Sequence, residues 1–299
     1  MISKFKKIIN IILKIFGLKI IFDEDYIKIQ NKIKDLNDER INTEIYINNL
    51  MNQNITDSNF KDILSNIIQK ENFEPVYIKS FKSILDKKKH LTFFDVGAHR
   101  GETIKEIKKY FPDAKLYSFE PFKESFDDLK EVSKLFNNSE VFNIGLSNFN
   151  GIEKLYNYID NDNSYMSVIN STSKLLPGSM TKFGYKDPDK IIEIECEFST
   201  LDKFVTNKKI DFIDILKIDV QGNEYKVLEG ADNIISSGGI KIIYLEILVF
   251  PFYEKQKDLS YYLSYFDDKK YELFGLYNLS YQNNSRILQF DAVFLKSDK

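Results

Sequence analysis

Asp95, Gly97 and Gly101 follow directly on a short apolar run, and Glu120 ends the next such run, 25 residues after Asp95. Glycine lets a backbone come close to a ligand, and the N-terminus of a following helix attracts negative charge. A carboxylate at the tip of the second run can accept both hydroxyls of a ribose, so the stretch reads as a nucleoside site. The dinucleotide fingerprint requires G-x-G-x-x-G. Here the spacing is D-x-G-x-x-x-G, without the first of those glycines, and no phosphate loop with Gly-Lys-Ser/Thr is present. A nucleoside with an amino-acid tail suits this turn better. Asp95 can reach the tail's ammonium through water or loop contacts, and loop N–H groups can take its carboxylate. S-adenosylmethionine is such a ligand. The plainer alternative is an ordinary strand-to-helix turn whose Asp caps the helix.

These residues need a frame. "LTFFDV", "AKLYSFE", "EVFNIGL", "DILKIDV" and "IKIIYLEIL" are short apolar runs, each ending near a carboxylate, a glycine or a turn. Such runs suit parallel strands covered on both faces. Helical stripes lie between them: Ile104, Ile107 and Phe111; Phe122, Phe126, Leu129 and Phe136; and Tyr225, Leu228, Ala231 and Ile235, closed by Gly238. Strands alternating with helices predict a doubly wound, mostly parallel α/β sheet. "YELFGLYNL" and "ILQFDAVFLK" follow without a long helix between them, which predicts an antiparallel hairpin at one edge. In such sheets ligands sit at the carboxyl ends of the strands, where strand order reverses.

The 299 residues give ample length for a sizeable core, and 43% hydrophobic with 29% charged residues is an ordinary globular composition. A net charge of −3 argues against a nucleic-acid partner, which calls for a basic face. Cys196 is the only cysteine, so no intrachain disulfide forms, which fits a reducing, cytoplasmic setting. His90 and His99 are the only histidines, which rules out a histidine-rich zinc or iron centre. Any metal would be a hard divalent cation such as Mg on carboxylates.

Residues 1–22 carry five lysines and no acid, with Phe5, Ile8, Ile9, Ile12, Ile15 and Phe16 at helical spacing. The run is too short and too charged to span a bilayer. A basic amphipathic helix on the inner face of a membrane and a helix packed on protein, including a second copy of the chain, both fit. Residues 23–89 read as a helical arm, with Ile29, Ile33 and Leu36 at near-heptad spacing.

"FDVGAHRGET", "SFEPF", "NIGLSNFNG", "STLDKFV", "ILKIDVQGNEYKVLEGA" and "IIYLEI" occur in that order. Together they resemble the FkbM-type family of S-adenosylmethionine-dependent methyltransferases over residues 90–295. The resemblance implies a Rossmann-like, seven-stranded methyltransferase sheet in a domain over 90–299, preceded by the helical arm. It also implies that Asp95, Gly97, His99, Gly101 and Glu120 bind the cofactor. Two positions depart from the family's usual pattern. His99 stands where the family has Asn, and can still donate to the methionine carboxylate. Gln221 stands where the family has Glu, which removes a negative charge near a strand tip.

Methyl transfer to a hydroxyl needs the acceptor oxygen held in line and its proton removed. Asp219, ending "ILKID", is the candidate base, or a ligand to a divalent ion that acidifies the hydroxyl. Helix capping is its structural alternative. Glu246, ending "IIYLE", is the second catalytic candidate, able to bind sugar hydroxyls or share that ion. Lys217 reads as pairing with a carboxylate or facing away. Residues 156–190 form a polar insertion suited to covering an acceptor, with Tyr165, Ser167 and Gln221 as substrate-binding candidates. The expected activity is O-methylation of a sugar hydroxyl on a surface glycan or glycolipid. The alternative is a binding or assembly protein on the same fold that has lost turnover. An NAD-dependent sugar enzyme would need the missing glycine and a Tyr-x-x-x-Lys pair, which "YKDPDK" does not supply.

Overall fold

The computed structural model describes residues 74–86, 88, 90–159, 167–181, 186–282 and 286–297. The expectations for residues 1–22 and 23–73, and for Tyr165, lie outside them. The compact unit that carries the site runs Val76–Lys299, so it begins 14 residues before the start expected at 90. It opens with a helix, α1 (Val76–Ile84), whose Tyr77, Ile78 and Phe81 are buried. That helix belongs to the core and not to an arm.

Strands β1 (Thr92–Val96), β2 (Lys115–Phe119) and β3 (Ser139–Phe142) alternate with helices α2 (Glu102–Tyr110) and α3 (Lys123–Ser133). Next come a two-residue strand β4 (Gly145–Leu146) and a hairpin of β5 (Gly151–Ile159) and β6 (Lys190–Ser199). Helix α4 (Leu201–Lys208) then leads to β7 (Ile213–Ile218), and α5 (Glu224–Glu229) and α6 (Asp232–Ser236) to β8 (Ile240–Leu248). Finally α7 (Leu259–Asp268) precedes β9 (Tyr271–Gln282) and β10 (Arg286–Lys296).

Seven strands form one sheet in the order β3-β2-β1-β7-β8-β10-β9. The pairings from β3 to β8 are parallel, and β10 runs antiparallel to both β8 and β9. This is the doubly wound sheet with its antiparallel edge hairpin. Successive residues alternate between faces: Phe93, Leu116 and Ile215 enter the core under α1 and α2, while Phe94, Tyr117 and Leu216 enter the other, against α4 to α7. Burial on both faces is what the apolar runs required.

Three segments differ from the sequence expectation. "EVFNIGL" divides, because β3 pairs with β2 while β4 turns away to pair with β6. The flanks of the expected 156–190 insertion are strands of a three-stranded sheet in the order β4-β6-β5. The helix expected over 225–235 is two short helices meeting at Gly230 and Ala231. A Cβ on Gly230 would lie 2.0 Å from the Ser147 carbonyl oxygen, so backbone contact fixes that junction. Among the described residues no helix is long and apolar enough to cross a membrane.

Candidate active site

Strand order reverses between β1 and β7, and there the two strand tips close on each other. Asp219 N donates to Val96 O at 2.9 Å, and Gly97 and Ala98 N both donate to Phe119 O at 3.0 Å. Gly97 has a φ of +84°, and a Cβ there would fall 1.8 Å from Asp219 O. Only glycine closes this turn. Gly101 also has a positive φ but serves packing: a Cβ would stand 3.0 Å from Val132 Cγ1 on α3, and the residue does not line the cavity.

A cavity of about 350 Å³ opens over these tips. Its walls include Gly97, His99, Glu120, Ser167, Lys217, Asp219 and Gln221. Phe119, Pro121, Leu146, Leu155 and Phe198 line an apolar part, and Asn170, Ser171, Thr172 and Asn223 a polar one.

Glu120 sits at the tip of β2. One carboxylate oxygen accepts from His99 N at 2.9 Å and the other from Phe122 N at 3.0 Å. Burial pushes its carboxyl up to about 7, with those two N–H groups pulling the other way. The bonds aim the carboxylate, and each oxygen keeps a lone pair for a ribose hydroxyl. His99, held at a φ of +46°, sends its ring to Ser167 Oγ at 2.8 Å, tying the turn after β1 to the 156–190 insertion.

Asp95 is fully buried behind the cavity wall. It is the register partner of Lys217 on β7. Lys217 Nζ lies 3.4 Å from Asp95 Oδ1 and 3.3 Å from Asp219 Oδ2, bridging the two carboxylates. Burial opposes the Lys217 charge, but Asp219 and Asp95 together hold its ammonium well above the usual lysine range. Asp95 does not line the cavity itself but pairs with Lys217, which does. Sequence reasoning gave Lys217 no site role; the signal was a lysine two residues before a tip aspartate, on the same strand face.

The other Asp219 oxygen, Oδ1, accepts from Gln221 Nε2 at 3.0 Å. The same nitrogen donates to Glu246 Oε2 at 3.1 Å, and Gln289 Nε2 donates to Glu246 Oε1 at 2.7 Å. Glu246 does not line the cavity. Burial pushes its carboxyl well above the usual range, and Asp219 adds to that shift. Of the two catalytic candidates, then, Asp219 faces the cavity and Glu246 stands behind it.

The loop between β7 and α5 is tightly held. Glu224 Oε1 accepts from Val220 N and Gly222 N, both at 3.1 Å. Ser171 Oγ donates to the Gln221 carbonyl at 2.7 Å and accepts from Asn223 Nδ2 at 2.7 Å. Gln221 takes a φ of +56° and Gly222 one of +88°. A left-handed glutamine persists only where its surroundings fix it.

A glycine cradle at a switch point and a carboxylate at the neighbouring tip define a nucleoside-binding α/β transferase class, and the cavity has the size of a small-ligand site. Residues 95–273 match the Methyltransferase FkbM domain, and the chain belongs to that methyltransferase family. It uses S-adenosylmethionine, and the residues present fit that cofactor: Gly97 presents bare backbone in the cavity wall, and Glu120 is aimed for a ribose. The chain is 25% identical over 153 residues to Methyltransferase sdnD of Sordaria araneosa, which spans 46% of this chain and 59% of that protein. Among solved structures, an rRNA methylase from Streptococcus thermophilus covers 75% of this chain and 98% of its own, with 13% identity and a TM-score of 0.41. M. capricolum TrmK in complex with S-adenosyl-homocysteine covers 73% and 68%, with 10% identity and a TM-score of 0.39.

Proposed function

We propose that the protein is an O-methyltransferase that methylates a hydroxyl of a sugar-type acceptor, with Asp219 as the base. The observation that carries this reading is the position of Asp219. Its carboxylate lines the cavity at the switch point, braced on one oxygen by Lys217 and on the other by Gln221. S-adenosylmethionine supplies an electrophilic methyl group. Asp219 takes the hydroxyl proton as the acceptor oxygen gains that methyl, so one O–H bond and one C–S bond break while one O–C and one carboxyl O–H bond form. Lys217 Nζ, 3.3 Å from Asp219 Oδ2, holds the carboxylate in place, and the reading does not call on Mg.

Support for a polyhydroxyl acceptor comes from the polar wall: Ser167, Asn170 and Thr172 carry hydroxyl and amide groups with no charge among them. Neutral donors and acceptors of this kind match the hydroxyls of a sugar. A glycan or glycolipid on the inner face of a membrane would give the basic residues 1–22 a purpose, which liposome flotation of the full chain and of a chain lacking them would test. The first measurement of function is calorimetric titration with S-adenosylhomocysteine, using NAD as the control, followed by transfer of labelled methyl to a panel of glycan acceptors. Tight binding of the first ligand alone and label on a sugar are expected. Asp219→Asn should bind S-adenosylhomocysteine within about threefold of wild type yet lose about a hundredfold or more in transfer rate, within the range for removing a general base. Unchanged transfer would overturn the assignment.

A further inference from the structure

We infer that Gln221 is a positioning residue that aims Asp219, rather than a contact for the acceptor; the inference rests on the reading of Asp219 as the base. Its amide has two hydrogens, and both are committed: one to Asp219 Oδ1 at 3.0 Å and one to Glu246 Oε2 at 3.1 Å. Tyr253 Oη lies 3.1 Å from Gln221 Oε1, so the oxygen end is turned away from the two carboxylates. The main-chain carbonyl takes Ser171 Oγ. Little of the residue is left to offer a substrate, although it lines the cavity.

Its position solves an electrostatic problem. Asp219 and Glu246 face each other with Asp291 and Glu224 also near Glu246, and Lys217 is the cation that opposes them. Asp95 is the other carboxylate on Lys217. Without a donor between them, nothing would fix Asp219 Oδ1 relative to Glu246, whose carboxyl burial holds well above the usual range. The bridging amide gives each a hydrogen bond of its own. Gln289, on the far side, anchors Glu246 so that the amide is not drawn off Asp219. A glutamate at 221 would supply two acceptors in place of these donors and add a further negative charge.

The test does not depend on knowing the acceptor. Full-length protein, ¹³C-labelled at aspartate carboxyl carbons and saturated with S-adenosylhomocysteine, is titrated by NMR as wild type and as Gln221→Leu. The Asp219 midpoint should rise by about one pH unit in the variant, because a hydrogen bond to the charged form is lost. S-adenosylhomocysteine affinity should stay within about twofold. An unmoved midpoint, even with a fall in melting temperature, would mean a purely structural residue and overturn the inference. A tenfold loss of affinity would make it a cofactor contact and overturn it equally. Should Gln221→Leu fail to fold, the wild type still decides: the Gln221 side-chain NH₂ resonances should titrate with the Asp219 midpoint, and their pH-invariance would refute the coupling. A wild type that does not bind S-adenosylhomocysteine refutes the functional reading instead, and Asp219→Asn distinguishes the base assignment from the role of Gln221.

Discussion

At the scale of single residues, the group whose behaviour should be easiest to read is Glu120. Burial raises its carboxyl from the ordinary 4.5 to about 7 in the folded protein. The sign follows from linkage. Between those two values the folded chain holds a proton that the unfolded chain releases, so this carboxyl costs stability as pH rises through the window. Ligand binding has the opposite preference, since ribose hydroxyls donate best to the ionised form. S-adenosylhomocysteine should therefore expel a proton on binding near pH 6.5, and its affinity should fall by up to about tenfold per pH unit below about 7. Calorimetry in two buffers of different ionisation enthalpy measures the proton directly. Glu120→Gln should abolish the release; release that persists would point to another group and sink the assignment.

At the scale of elements, the site depends on two strand-to-helix turns touching backbone to backbone. Gly97→Ala would place a methyl 1.8 Å from the Asp219 carbonyl oxygen. Main-chain atoms cannot give way as a flexible side chain can, so the β1 and β7 tips must part. We expect a stability loss of about 2 kcal/mol or more, beyond the cost of a left-handed alanine, together with loss of S-adenosylhomocysteine binding. Thermal melts with and without the ligand check both; binding within threefold of wild type would show that the turn does not form the cofactor floor. This contact explains what was legible in the sequence. Gly97 and Glu120 could be read because each obeys a local rule of turn or strand tip, and β1, β2, β7 and β8 because both faces of each are buried. The β5–β6 hairpin was missed because it is amphipathic: Ile192, Ile194, Cys196 and Phe198 alternate with Glu193, Glu195 and Glu197, a period-2 signal that a search for continuous apolar runs passes over. Glu246 was misjudged for a different reason. Strand position brings it to the correct edge of the sheet, but only the tertiary arrangement of Gln221 and Gln289 turns it away from the cavity.

At the scale of the whole molecule, the site rests on a core that begins before the family match at residue 95. Helix α1 packs on the face of the sheet that carries Phe93, Leu116 and Ile215. Tyr77 stacks on Tyr244 of β8 with ring centroids 5.1 Å apart, and Phe81 meets the same ring edge-on at 5.6 Å. Tyr244 Oη donates to Asp291 Oδ2 at 2.5 Å, and Asp291 is one of the carboxylates near Glu246. The aromatic cover thus keeps water from the side of the sheet that holds the buried charges, where exclusion of solvent strengthens every pairing. Phe81 has no exposed surface, so Phe81→Ala should cost about 3–5 kcal/mol. For a unit of this size that is a melting temperature lower by roughly 6–20 °C, at about 2–4 °C per kcal/mol. S-adenosylhomocysteine should still bind the folded fraction, because no cavity-lining residue is altered. A shift below about 2 °C would mean that α1 is a detachable appendage, and the domain would then start near residue 90 after all.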